Sequence, residues 1–208
     1  RTYVDSMLKV CNEDYCSHPV ITVNTLERLF IIAKNQSADL QLAKDAYNAF
    51  EARHAHDDAV RCWASQFLIM IENRKCYSDE EIRTLVNKHE ERLNRMSSLE
   101  NGKSLNPWNV ESQAKILCQY YNSVQKKEDI KRILHIVEDS FQASAINLSA
   151  LQLMGNLENV HQLYRFYGLE EEATRLTAVI QKIGEKAKEE MVAHSFEHEI
   201  PTEVQEQA

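Results

Sequence analysis

His56 and Asp57 stand side by side in the chain, with His54 two residues before them and Asp58 directly after. Imidazoles and carboxylates at this density can hold a divalent metal ion, and a metal-bound water is a nucleophile near neutral pH. Cys11, Cys16 and His18, with Glu13 and Asp14 between them, form a second group. They could supply three zinc ligands, whereas a closed structural site takes four and no second Cys pair follows to complete it. Arg83 and His89 form a third group in an Arg-x5-His spacing, a fixed cation and a titratable imidazole six residues apart.

The His56-Asp57 doublet resembles the histidine-aspartate dyad of all-helical metal phosphohydrolases. That resemblance implies a further His upstream, for which His18 is available, and a further Asp downstream, which nothing in the chain marks out. In that family the dyad lies on a helix, whereas here the apolar spacing places it at a turn between two helices. There, Asp57 or Asp58 caps the following helix and its charge suits the helix N-terminus, so capping is the expected role. Arg83 and His89 are similar to the Arg-x5-His pair of helical ribonucleases from prokaryotic defence systems. Eleven Arg and eight His in this length give about one such pair by chance. Residues six apart do not share a helix face, so both are expected on a solvated surface. The cysteines are expected to be structural thiols. No Gly-rich phosphate loop, nucleophile elbow or His-Glu-x-x-His motif occurs in the sequence, and no cofactor is expected.

The elements that would carry these residues are helices. Only 4 Gly and 3 Pro occur in 208 residues, where ordinary usage near ~7% and ~5% gives about fifteen and ten. Sheet proteins use both residues in their many tight turns, so an all-α fold of eight or nine helices is expected. Apolar spacing and caps place helices over about 2–13, 24–34 (capped by Asn24, with Glu27 at the third position), 38–53 and 57–74. Further helices follow over 78–98, 106–123, 128–143, 147–167 and 169–194. Residues 15–23, with Pro19, read as a loop. Asn101-Gly102 marks a turn, and Asn106-Pro107 a helix start. A single domain is expected over 1–198, with possible sub-units 1–100 and 106–198 and an extended tail at 199–208.

Three helix pairs share one spacing: Phe50, His54, Ala59; Tyr121, Gln125, Ile130; and Tyr164, Gly168, Ala173. In each set an aromatic residue closes one helix, the middle residue falls at the turn, and a small or branched apolar residue opens the next. This resembles the middle of the tetratricopeptide unit, although the intervals between sets are not regular. The resemblance implies stacked antiparallel hairpins, either as an array or as an irregular bundle. The paired tyrosines at these hinges, Tyr120-Tyr121 and Tyr164 to Tyr167, are expected to pack in the core rather than stack on bases. The segment from Met191 to Pro201 resembles the end of the helical N-terminal region in certain large bacterial proteins of unknown function. Their C-terminal domain is related to the endoplasmic-reticulum membrane-associated RNA degradation protein. This second resemblance implies a non-catalytic helical module preceding a further domain.

The net charge is −8, with −6 concentrated in residues 169–208. Polyphosphate binding gains from counterion release by a basic excess that neither part of the chain carries, so nucleic acid is disfavoured. No apolar run approaches the ~18 residues of a membrane span. Five irregularly spaced cysteines predict a reduced, cytoplasmic setting rather than a disulfide framework. The apolar repeat Ala173, Leu176, Ile180, Ile183, Ala187, Met191 predicts a seam for another helix, within the chain or across a homodimer. Glu170, Glu171 and Glu172 before it are expected to be a solvated cap. A chain that opens at Arg1 is expected to be part of a longer protein. The expected function is a helical scaffold that binds a protein partner or an adjacent domain. An enzyme built on His56 and Asp57, or on Arg83 and His89, is the alternative.

Overall fold

The computed structural model describes residues 19–36, 40–53, 67–98 and 106–197, and every regular element among them is helical. Helix α1 spans Pro19–Gln36, α2 Leu40–Arg53, α3 residues 67–72 and α4 Asp79–Ser97. Helices α5 (Pro107–Ser123), α6 (Lys127–Ala143), α7 (Ala150–Phe166) and α8 (Glu170–Glu197) complete the series. Short 3-10 turns occupy Arg74–Cys76 and Ser144–Asn147. The protein is all-α, as its Gly and Pro counts predict. The expected first helix and the residues Cys11, Cys16, His18, His54, His56, Asp57, Asp58 and Gly102 lie outside the described residues. So does the tail beyond residue 197.

Local chemistry explains most of the helix starts. Ser78 and Glu81 form the reciprocal cap expected of them: the Glu81 backbone N–H donates to Ser78 Oγ at 3.2 Å, and the Ser78 backbone N–H to Glu81 Oε2 at 2.7 Å. Ser149 and Gln152 repeat it at the head of α7, so that helix begins at Ala150 and not near Asn147. Asn106-Pro107 opens α5 as expected. Helix α1, however, starts at Pro19, inside the segment read as a loop, and Asn24 lies within it. Proline suits the first helical position because its missing N–H would be unpaired there and its φ is already helical.

The chain divides into two compact units: the described residues through Ser98 together with Trp108–Gln125, and the described residues from Lys126 onward. Within the first unit α5 is bonded to α4. Gln113 Nε2 meets His89 Nδ1 at 2.7 Å, and Tyr121 Oη donates to Glu90 at 2.5 Å. In the first unit α1 packs on α2, and Leu26, Leu29, Phe30, Ala43, Tyr47, Phe67, Met70, Leu93, Val110 and Leu117 are buried. In the second, α7 packs on both α6 and α8 around Ile133, Leu134, Val137, Phe141, Leu157, Val160 and Leu176. Each such Leu, Ile or Phe contributes about 1.5–3 kcal/mol relative to an exposed side chain.

Two of the three hinge sets are described, and both have the same backbone form. Gln125 and Gly168, the middle members, have φ of 57° and 68°, while Tyr121, Ile130, Tyr164 and Ala173 are all buried. At the second hinge the Gly168 N–H donates to the Arg165 carbonyl at 2.9 Å and the Leu169 N–H to the Tyr164 carbonyl at 2.8 Å. These are the two bonds of a Schellman turn, which needs a left-handed residue at its corner. A side chain in that region costs about 1–2 kcal/mol through contact of Cβ with its own carbonyl. Gly168→Ala is therefore expected to destabilise the protein by about 1 kcal/mol. A Cβ there would meet only Lys127 Nζ at 3.5 Å, so backbone strain is the whole effect. Gln125→Gly is expected to stabilise by about 0.5–1 kcal/mol, the relief of strain outweighing the added freedom of the unfolded chain. Urea unfolding of the two variants checks both signs; equal signs would refute the left-handed account of the hinges.

Candidate functional site

The densest cluster of charged side chains among those described joins α6, α7 and α8, and its centre is the buried Glu138. Arg175 grips both carboxylate oxygens, Nη1 to Oε1 at 2.9 Å and Nη2 to Oε2 at 2.5 Å. Gln142 Nε2 adds a bond to Oε1 at 3.0 Å and Tyr164 Oη one to Oε2 at 3.1 Å. Glu172 lies alongside, 2.9 Å from Arg175 Nε, 2.7 Å from Lys131 Nζ and 3.3 Å from His135 Nε2. The Lys131 hydrogen bond and then that of Arg175 hold the Glu172 carboxyl at about 2, well below the usual range. The bond to Glu138 raises the Arg175 guanidinium, and burial next to Glu138 raises the Tyr164 phenol.

This arrangement is a clamp rather than a reaction centre. Both oxygens of Glu138 are already saturated with donors, so the carboxylate has no lone pair directed at a substrate proton. Glu172, expected in a solvated run, is instead the second anion of the clamp. Glu170 and Glu171 are exposed, as expected.

In the first unit, His89 is buried, contrary to the expectation of a solvated position. It rests on the Phe67 ring at 4.4 Å between centroids and bonds to Gln113, which is wholly buried. Burial, reinforced by the Arg92 charge, pushes the imidazole down to about 3. It is a neutral core group. Arg83 is exposed on the same helix, so the structure does not bring the Arg-x5-His pair together. Of the hinge tyrosines, Tyr121 and Tyr164 are buried as expected, while Tyr120 and Tyr167 are half-buried, and Tyr120 meets Phe67, Tyr121 and the Arg74 guanidinium.

The seam of α8 faces inward at Ala173, Leu176 and Ala187, which are buried, while Ile180 and Ile183 are half-buried. Helix α7 takes that seam within the chain. None of the described helices is long and apolar enough to cross a membrane.

Among the exposed residues of the α7–α8 hinge is one large aromatic side chain. Phe166 is 77% exposed, and its ring stands edge-on to Tyr167 at 4.9 Å. The turn beneath it is pinned by the Schellman bonds and by the Tyr167 N–H to the Leu163 carbonyl at 3.1 Å. These rings are expected in the core; Phe166 departs from that, because it follows Tyr164 by two residues and so leaves the buried face of the helix. Leu151, Trp108 and Ile31 are also exposed large apolar residues. Comparison of the chain with family models, with curated proteins and with solved structures finds no match.

Proposed function

We propose that this protein is a helical interaction module that holds a protein partner or an adjacent domain, without catalysis of its own in the described helices. The observation that carries this reading is Phe166, a large aromatic side chain presented to solvent by a pinned turn. Aromatic anchors dominate binding energy at protein interfaces, and a rigid turn reduces the ordering cost of docking. The best-equipped polar cluster, around Glu138, is turned inward and holds helices together. Stacked antiparallel hairpins of tetratricopeptide type suit such a role, and the hinge geometry at Gln125 and Gly168 supports that likeness. A cytoplasmic setting accords with Cys76 and the buried Cys118 being free thiols. A homodimer through α8 is less well supported than a foreign partner, since much of its seam is engaged by α7.

The test is site-specific photocrosslinking in the cells that produce the protein, with a photoreactive phenylalanine analogue at position 166. A discrete adduct from position 166, absent when the analogue is at exposed Asn159, is the expected result. Equal labelling from both positions, or none from 166, would remove the proposal.

A further inference from the structure

Helices α5–α6 and α7–α8 share one spacing. Helix α7 begins 43 residues after α5, at Ala150 and Pro107, and α8 begins 43 residues after α6, at Glu170 and Lys127. Both α5 and α7 are 17 residues long. The same offset relates Tyr121 to Tyr164, Gln125 to Gly168 and Ile130 to Ala173, the members of the two described hinges. It also relates the ion pair Asp129–Arg132, at 3.2 Å, to the ion pair Glu172–Arg175, at 2.9 Å. Ile133 and Leu176 correspond and are wholly buried, as do Leu117 and Val160. Each hinge tyrosine donates its hydroxyl to a glutamate of an earlier helix, Tyr121 to Glu90 and Tyr164 to Glu138.

The two hairpins differ on one face. In α6, Leu134, Glu138 and Phe141 are all buried on one side of the helix, and Glu138 meets α7 through Tyr164. The corresponding positions of α8 are Thr177, Gln181 and Gly184, of which Gln181 is exposed and the other two half-buried. Thr177 turns its hydroxyl back onto its own helix, donating to the Ala173 carbonyl at 3.0 Å. A Cβ at Gly184 would meet only Met154 Sδ, at 3.5 Å, an ordinary contact. Packing within the chain therefore does not demand a glycine there, although glycine weakens a helix interior.

We propose that α5–α6 and α7–α8 are two copies of one 43-residue hairpin and that α8 closes the series, its outer face built to refuse a further hairpin or a second copy of this chain. A repeated hairpin cannot bury its apolar surface alone, so each inner helix offers a face to the next pair. The last helix must present a polar face instead, or the exposed end would stick to its like. Leu134 and Phe141 are the apolar side chains that α6 turns toward its neighbour. Their counterparts in α8 are a self-bonded hydroxyl and a residue without a side chain. Gln181 between them carries an amide that burial would strip of water with no partner in return. The closing role of α8 does not rest on the docking role of Phe166.

The experiment is sedimentation velocity on the whole chain over a wide range of concentration, comparing the native protein with the double variant Thr177→Leu, Gln181→Leu. The variant is expected to form a species of twice the monomer mass or larger that grows with concentration, while the native protein keeps a single species. Thr84→Leu with Asn87→Leu adds the same apolar side chains at two exposed positions of α4 and is expected to sediment as the native protein does. If the double variant of α8 does not fold, Gln181→Leu alone decides the matter. An α8 variant that sediments as the native protein does, an α4 control that associates as strongly, or a native protein whose own association is broken by Gln181→Arg would each overturn the proposal.

Discussion

Arg175→Met is expected to destabilise the protein by about 3 kcal/mol, lowering the unfolding midpoint by about 6–12 °C. The substitution removes both guanidinium bonds from Glu138, whose side chain is 3% exposed, and leaves an anion in the core with the hydrogen bonds of Tyr164 and Gln142 and with His135 Nδ1 at 3.9 Å. Losing one partner of a buried pair costs about 3–5 kcal/mol, and the surviving neutral donors place this case at the lower end. The more telling variant replaces the whole group. Glu138→Leu, Arg175→Met and Tyr164→Phe together remove the charge, its partner and the phenol that would otherwise lose its acceptor. Desolvation of both ions then disappears with their attraction, so the triple variant should unfold within about 1 kcal/mol of the native protein. Chemical denaturation of the native, single and triple proteins gives the comparison. A single variant as stable as the native protein, or a triple variant worse than the single, would show that the clamp does not hold α6, α7 and α8 as described.

The same side chains show how far the sequence could be read. The all-α class followed from turn chemistry, and the Ser78-Glu81 cap and Asn106-Pro107 start were legible because each acts within three residues. The hinges were legible too, since an aromatic residue, a turn position and a small apolar residue at fixed spacing describe a local geometry. His89 was misread although its signal was present: it follows Ile82 by seven residues and precedes Leu93 by four, in phase with the buried stripe of α4. The charged residues around it hid that phase. Glu138 carries the same signal, four residues beyond the buried Leu134. Its partner Arg175, thirty-seven residues on, could not be found by spacing, since pairing between helices depends on packing that no local pattern encodes.

Acidification is expected to weaken the protein from about pH 6.5 downward, well before its carboxylates titrate, with His89 as the cause. The folded protein holds this imidazole neutral down to about 3, while the unfolded chain takes up the proton near the ordinary value of 6.5. Between those limits the unfolded state binds more protons, so unfolding becomes more favourable as pH falls. The slope is about 1.4 kcal/mol per pH unit once well below 6.5, or about 3 kcal/mol by pH 4.5. Glu172 and Glu81 act in a different window. Their carboxyls are held below the ordinary range, so their stabilisation is present above about pH 4.5 and is lost only as pH falls further. Among the groups with a described shift, His89 alone acts in the interval from 6.5 to 4.5. Urea unfolding across it should show the slope in the native protein and a flatter line when His89→Leu is combined with Gln113→Leu. The paired substitution is needed because Gln113 is wholly buried and would otherwise lose its partner. A slope that survives in the double variant would transfer the effect to another group and return His89 to the surface where its neighbours in sequence suggested it belonged.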